Sequence, residues 1–198
     1  MADAITLTDV KIANWFHSHA TPSMTHFMLI LTNLHGTLAI FSYSILMGLF
    51  LIRKKEWYWL LTLLASVPCG MSLNVLMKHA FQRARPIFDH PLLTLSSYSF
   101  PSGHTAAATL FYGVLAAYLV CHLKPWRWRI AAFTVILAVM MVTLVGLSRM
   151  YLGVHYLSDV LAAAAEGIAW LALCLSVAGW RQHRAGSTLC GNAGACDE

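Results

Sequence analysis

Three short polar clusters interrupt a chain otherwise built from apolar blocks, and their residue types suggest one chemistry. The central cluster, Pro101-Ser102-Gly103-His104, lies where a polar loop meets a long apolar run. Upstream, Lys78 through Pro86 reads K-x6-R-P, with Lys78 and Arg85 as its fixed cations. Downstream, Ser148-Arg149, His155 and Asp159 read S-R-x5-H-x3-D. Together they supply three cations, two imidazoles, one carboxylate and a glycine-containing helix start. Such a set suits holding a phosphoryl group and breaking its ester bond.

Each cluster taken alone also has a plainer reading. Lys78 and Arg85 are seven residues apart, so a continuing helix ended by Pro86 would put both on one face as an anion clamp. An isolated pair of this kind more often snorkels to lipid headgroups. Ser102 is a good helix N-cap, and Gly103 permits close backbone approach to an anion held by the helix N–H groups. A capped helix with an incidental His104 is the alternative. His155 and Asp159 are four apart, so on a helix the carboxylate would sit one turn from the imidazole and fix its tautomer. The alternative is a structural His/Asp cap. Arg149 offers a guanidinium fork matched to phosphate oxygens. The conjunction of three such clusters on one membrane face favours the chemical reading.

The elements that position these clusters follow from hydropathy. The 198 residues are 59% hydrophobic and only 11% charged, against roughly 25% charged in soluble proteins. Five apolar blocks of spanning length are expected, at about Phe27–Ile52, Trp57–Met77, His104–Leu123, Ile130–Leu147 and Leu157–Trp180. The fold expectation is all-α: an integral membrane helical bundle of about five transmembrane helices plus a short N-terminal interfacial helix. In that helix, capped by Thr8 or Asp9, Ile12, Trp15, Phe16 and His19 would share a face. No cleavable signal peptide is expected in residues 1–22. Residues 1–185 are read as one domain with its signature region at 78–159, and the Gly/Ala/Ser-rich stretch 186–198 as a disordered tail.

Charge placement gives sidedness. Arg53, Lys54, Lys55, Lys124, Arg127, Arg129, Arg181 and Arg184 fall on one side, bordered by Trp57, Trp59, Trp126, Trp128 and Trp180. The positive-inside rule and the aromatic belt make that side cytoplasmic, which puts all three clusters and the N-terminus outside. The net charge of +5 does not signal nucleic acid, because the basic residues form no stripe with interleaved aromatics. Cys69, Cys121 and Cys174 read as small buried hydrophobes, Cys190 and Cys196 lack metal-ligand companions, and no disulfide framework is expected. The His17/His19 pair reads as polar residues beside an interface rather than as a metal site.

In order and spacing, the three clusters resemble the signature of the type 2 phosphatidic acid phosphatase superfamily, which includes vanadium haloperoxidases and bacterial undecaprenyl-pyrophosphate phosphatases. The resemblance spans residues 78–159 and every motif position matches. It implies a helical membrane phosphatase that needs no metal and no cofactor. His155 would be the nucleophile, giving a phosphohistidine, with Asp159 orienting it. His104 would protonate the leaving oxygen and then activate water. Lys78, Arg85 and Arg149, with Ser102 and the Gly103 backbone, would hold the phosphoryl oxygens. The implied partner is a membrane lipid phosphate or diphosphate in the bilayer, with undecaprenyl pyrophosphate favoured over phosphatidic acid and phosphatidylglycerol phosphate. A bacterial inner membrane, with the site on its periplasmic face, is the expected location. A vanadate-dependent haloperoxidase is disfavoured by the spans, and a non-catalytic lipid-phosphate binder or transporter is the other alternative. Many members of the superfamily have six spans, whereas the segment before Phe27 cannot supply one.

Two residues outside the signature positions carry expectations. Arg83, inside the first motif's gap, is expected to face headgroups. Glu166, about two turns inside the fifth span, is expected to face the bundle interior and support the site by hydrogen bonds, or to contact a neighbouring helix through a Ser or Asn.

Overall fold

The computed structural model describes residues 4–93 and 95–184. These form α1 (Ala4–Ser18), α2 (Pro22–Leu34), α3 (Thr37–Lys54), α4 (Trp57–Phe81), α5 (Gly103–Cys121), a single 3-10 turn (Pro125–Arg127), α6 (Trp128–Tyr151) and α7 (Leu157–Arg184). Five of them, α3 to α7, are long and apolar enough to cross a membrane.

The count of five agrees with the hydropathy reading, but the first span does not. The expected block Phe27–Ile52 is broken into α2 and α3 at His35-Gly36. α2 opens conventionally, with the Thr21 hydroxyl accepting from Met24 N and Pro22 at the first position. Its 13 residues reach only about 20 Å, too short for the roughly 30 Å hydrocarbon core. At its start Thr21 N donates to the Tyr151 hydroxyl at 3.0 Å. At its end His35 Nε2 pairs with the Tyr112 hydroxyl at 2.8 Å. Tyr112 lies two turns down α5 from His104, so α2 descends obliquely from the motif end into the bundle. The break therefore sits beside the site rather than at a membrane surface.

α4, α5 and α7 share a core around Leu63, Val67, Ala106, Leu110, Val114 and Ala163. Small residues allow this approach, as they do between helices that lack a hydrophobic driving force in lipid. A Cβ on Gly113 would come within 2.3 Å of the Leu171 side chain, and one on Gly70 within 2.6 Å of Leu110. α4 tolerates Pro68 in its interior, as helices in lipid commonly do. Trp57, Trp126, Trp128 and Trp180 are exposed at the basic end as a belt should be, whereas Trp59 is buried and meets Tyr118 edge-on.

α1 starts at Ala4, so Thr8 and Asp9 are not its caps; Thr8 bonds back to Ala4 O. Its inward face is Asp9 and Ala13, while Trp15 points out. His17 stacks on Phe88 of the 82–102 loop and His19 on Trp15. Cys69 is exposed and Cys174 half-buried, both as free thiols, and Cys121 is disulfide-bonded, against the reading of three buried hydrophobes without a disulfide. Cys190, Cys196 and the 186–198 tail lie outside the described residues.

Candidate active site

The C-termini of α4 and α6 and the N-termini of α5 and α7 meet at one end of the bundle, and the three clusters converge there. The route differs from the one expected for the first. α4 ends at Phe81, with Gln82 in the left-handed region at φ 45°, so Arg85 does not continue the Lys78 face and Pro86 ends nothing. The 82–102 loop folds back and brings the two cations together on its own carbonyls. Lys78 Nζ donates to Tyr98 O at 3.1 Å and Pro101 O at 2.6 Å. Arg85 donates to Ser97 O at 2.7 Å, Tyr98 O at 3.1 Å and Val154 O at 2.6 Å. Tyr98 O is thus shared, which fixes the spacing of the two charges.

His155 lies in the turn just before α7 rather than on a helix with Asp159, yet the two meet as the spacing suggested. His155 Nδ1 is 3.5 Å from Asp159 Oδ2. The Ser99 hydroxyl, which the sequence analysis did not single out, donates to the same oxygen at 2.5 Å and stands 3.5 Å from Nδ1. On the far side of the ring, Nε2 lies 3.3 Å from Arg85 Nη1. A guanidinium can only donate, so Nε2 is the unprotonated nitrogen and Nδ1 carries the proton toward Asp159. Burial is the main reason the His155 imidazole is pulled down to about 4; Asp159 opposes this, and the Arg85 and Arg149 charges reinforce it. At neutral pH the ring is therefore neutral, with its lone pair facing the cations.

Asp159 is fully buried. Its Oδ2 also accepts Tyr156 N at 2.9 Å, in the manner of a capping box, and its Oδ1 accepts Arg83 Nη1 at 2.6 Å. Arg83 therefore does not face headgroups; a buried carboxylate needs a cation, and Arg83 is the one that supplies it. Its other amino group donates to Asp9 at 2.8 Å. Burial alone would lower the Arg83 pKa, but the bonds to Asp9 and Asp159 outweigh it and hold it above its usual value.

The second cluster stands against these residues. Ser102 occupies the N-cap position of α5 but makes no side-chain cap bond; its hydroxyl accepts from Thr105 at 3.0 Å and its N–H reaches Asp159 O at 3.1 Å. A Cβ on Gly103 would meet Asn74 and Lys78 only at 3.5 and 3.8 Å, ordinary contacts. The surrounding protein does not itself require glycine there, which leaves close approach by a bound group as its use. The His104 side chain makes no hydrogen bond among the described residues and lies within electrostatic reach of Arg149, His155, Arg85 and Lys78. Its Nε2 is 3.9 Å from where a Gly36 Cβ would stand, so the α2–α3 break forms its wall. Arg149 is buried, donates to the Thr32 hydroxyl at 2.6 Å, and leaves Nε without a partner among the described residues.

Glu166 faces the bundle interior as expected and meets an Asn: Asn74 Nδ2 donates to Glu166 Oε2 at 2.9 Å. Glu166 Oε1 and Asn74 Oδ1 are both buried without partners among the described residues, and each such acceptor costs about 1–3 kcal/mol. A glutamine could accept from Asn74 Nδ2 and donate to Asn74 Oδ1, satisfying both. Glu166→Gln is therefore expected to raise the thermal midpoint in detergent by about 3 °C or more, and Glu166→Ala to lower it. A lower midpoint for the glutamine protein would show that the charge itself is needed.

A family model described as the PAP2 superfamily matches residues 56–183. Phosphatidylglycerophosphatase B of Bacillus subtilis is 42% identical over 61% of this chain and 58% of its own length. Decaprenylphosphoryl-5-phosphoribose phosphatase of Mycobacterium tuberculosis is 36% identical over 66% of each chain. The chain thus spans about three fifths to two thirds of these curated relatives. Among solved structures, the transmembrane PAP2 type phosphatidylglycerolphosphate phosphatase from Bacillus subtilis superposes with a TM-score of 0.80 at 32% identity, covering 89% of this chain and 87% of that one. Aquifex aeolicus LpxE superposes with a TM-score of 0.67 at 25% identity, over 85% and 94% of the two chains.

Proposed function

The chain belongs to the PAP2 superfamily, and from that premise we propose that it is an integral membrane lipid phosphatase acting through a phosphohistidine. The observation that carries this reading is the orientation of His155, with Nδ1 toward the buried Asp159 and Nε2 toward Arg85. A neutral imidazole whose free lone pair faces a cluster of cations is a nucleophile aimed at an anion.

In this mechanism the terminal phosphoryl oxygens are held by Lys78, Arg85, Arg149, Ser102 and the N–H groups at the start of α5. Nε2 of His155 attacks phosphorus while the bond to the lipid oxygen breaks, and that oxygen takes a proton from His104. Asp159 stabilises the positive charge that develops on the ring. His104, now a base, takes a proton from water; the resulting hydroxide attacks phosphorus, the P–N bond breaks, and inorganic phosphate leaves. Three fixed cations provide the charge neutralisation that the transition state requires.

The substrate is a lipid whose tail remains in the bilayer. An apolar groove of about 460 Å³ between α5, α6 and α7, lined by Gly113, Ala116, Val139, Val142 and Ile168 among others, supports a chain lying alongside the spans. The positive-inside rule, applied to the basic end opposite the site, supports a site on the outer face of the membrane, in keeping with the expected bacterial inner membrane. Phosphatidylglycerol phosphate is favoured by the names of the Bacillus relative and structural neighbour. An undecaprenyl-diphosphatase of Sulfolobus acidocaldarius, 32% identical over 58% of this chain, keeps the carrier-lipid expectation in play.

The test is phosphate release by the purified full chain in detergent with excess EDTA, offering phosphatidylglycerol phosphate, undecaprenyl pyrophosphate and phosphatidic acid in parallel. Chelator-resistant release from at least one is expected, and the preferred lipid identifies the substrate. No release from any of the three would overturn the reading.

A further inference from the structure

α1 has the outward composition of an interfacial anchor, with Ile5, Leu7, Val10 and Trp15 all exposed. Its one buried charge does something different. Asp9 is 2% exposed, and burying a carboxylate is costly unless it is paired and hydrogen-bonded. Asp9 has both. Oδ1 accepts Ser158 N at 3.0 Å, and Oδ2 accepts Arg83 Nη2 at 2.8 Å together with the Ser158 hydroxyl.

Ser158 is the second residue of α7, so its N–H is one of those a helix cannot satisfy internally. Asp9 caps it from another helix. The remaining support at that end comes from Asp159 accepting Tyr156 N. Arg83 joins the two carboxylates, with Nη2 on Asp9 and Nη1 on Asp159 Oδ1. Its Cζ lies 4.4 Å over the Tyr156 ring, and its carbonyl accepts Ser99 N at 2.8 Å. By occupying Oδ1, Arg83 leaves Oδ2 for Ser99 and His155.

We propose that Asp9 of α1 and Arg83 are positioning residues for the nucleophile, fixing the N-terminus of α7 so that Asp159 holds His155 in line with the phosphoryl site. The N-terminal helix is then part of the catalytic apparatus and not only a membrane contact. This inference rests on the phosphatase reading above. Neither residue touches the phosphoryl site: Arg83 points to the side of Asp159 away from His155, and Asp9 lies behind Arg83.

The experiment compares Asp9→Asn, Arg83→Gln, Arg83→Lys and the Asp9→Asn/Arg83→Gln double variant in the full chain, using phosphatidic acid as the assay substrate. Inorganic phosphate serves as a competitive inhibitor to report on the cation cluster. Misplacing a reacting group by about 1 Å can cost on the order of 100-fold. Asp9→Asn and Arg83→Gln are therefore each expected to lose about 10- to 100-fold in kcat, with KM and phosphate inhibition within about twofold of the parent. Arg83→Lys is expected to recover part of the loss, since it keeps the charge on Asp159. The double variant is expected to be no worse than Arg83→Gln alone, because the two act as one unit.

A kcat for Asp9→Asn within twofold of the parent would overturn the proposal and reduce α1 to an anchor. So would a change confined to KM or to phosphate inhibition, which would make Arg83 a substrate ligand, or losses that multiply in the double variant. If Asp9→Asn does not yield monodisperse protein, Asp9→Glu tests the same point: it keeps the charge, displaces the cap, and is expected to lower kcat with phosphate inhibition unchanged. Failure of this inference is distinct from failure of the phosphatase reading, because the latter shows in the parent protein as no hydrolysis at all.

Discussion

His155→Ala is expected to abolish phosphate release, lowering kcat by about 10⁴-fold or more, as removal of a nucleophile does in other covalent hydrolases. The site offers no substitute: His104, the other imidazole, comes from the opposite wall beside Gly36 and makes no bond to Asp159. Inorganic phosphate should still bind, since Lys78, Arg85 and Arg149 remain, and retained binding without turnover separates a lost nucleophile from a lost fold. The same residue sets a pH expectation. Only the neutral ring attacks, and burial first, with the Arg85 and Arg149 charges, holds His155 at about 4. The reactive fraction is therefore complete above about pH 5 and falls as pH drops through 4. The acid limb of kcat/KM assigned to this group should lie near 4 rather than near the ordinary 6.5. Release persisting in His155→Ala would remove His155 as the nucleophile.

Much of the site was legible because its chemistry is carried by residue types that are costly in lipid. Lys78, Arg149, His104, His155 and Asp159 stand out against apolar blocks, and successive antiparallel spans bring the ends that carry them to one side. What the residue pattern obscured is how the chain gets there. Lys78 and Arg85 look like one helical face because seven residues make nearly two turns. The left-handed Gln82 ends the helix, and the shared Tyr98 carbonyl does the work assigned to helical phase. Hydropathy alone could not divide α2 from α3, since both halves are apolar. The Asn33-Leu34-His35-Gly36 interruption was the available signal.

Ser99, Arg83 and Asp9 were misread or missed for a common reason. Each gains its role from a partner distant in sequence: Ser99 from Asp159, and Arg83 from Asp9 and Asp159. No periodicity within one segment records such a pairing. Asp9 was especially well hidden, because a carboxylate on an amphipathic surface helix ordinarily marks the wet face. Here it marks the dry one, where it caps Ser158 of α7. Glu166 was the reverse case. A carboxylate inside a span has few places to go, so its inward direction was predictable from cost alone, and Asn74 is the partner it finds.

Arg149→Lys is the second large effect expected. Arg149 is 2% exposed at the site end of α6, yet only its bond to Thr32 is satisfied on the Nη1 side, and Nε has no partner among the described residues. An unsatisfied donor on a buried guanidinium is costly, and a phosphoryl oxygen is the acceptor that would offset it. Lysine keeps the charge but loses the planar fork and the Nε donor. Losing one such donor to a developing oxyanion typically costs about 10²- to 10³-fold. A fall of that size in kcat/KM is therefore expected, with weaker inhibition by inorganic phosphate. Stability provides the contrast: without the unpaired Nε, the thermal midpoint should hold or rise. A lysine protein within about tenfold of the parent would show that charge alone suffices. A fall in midpoint matching the loss of activity would make Arg149 a structural residue held by Thr32.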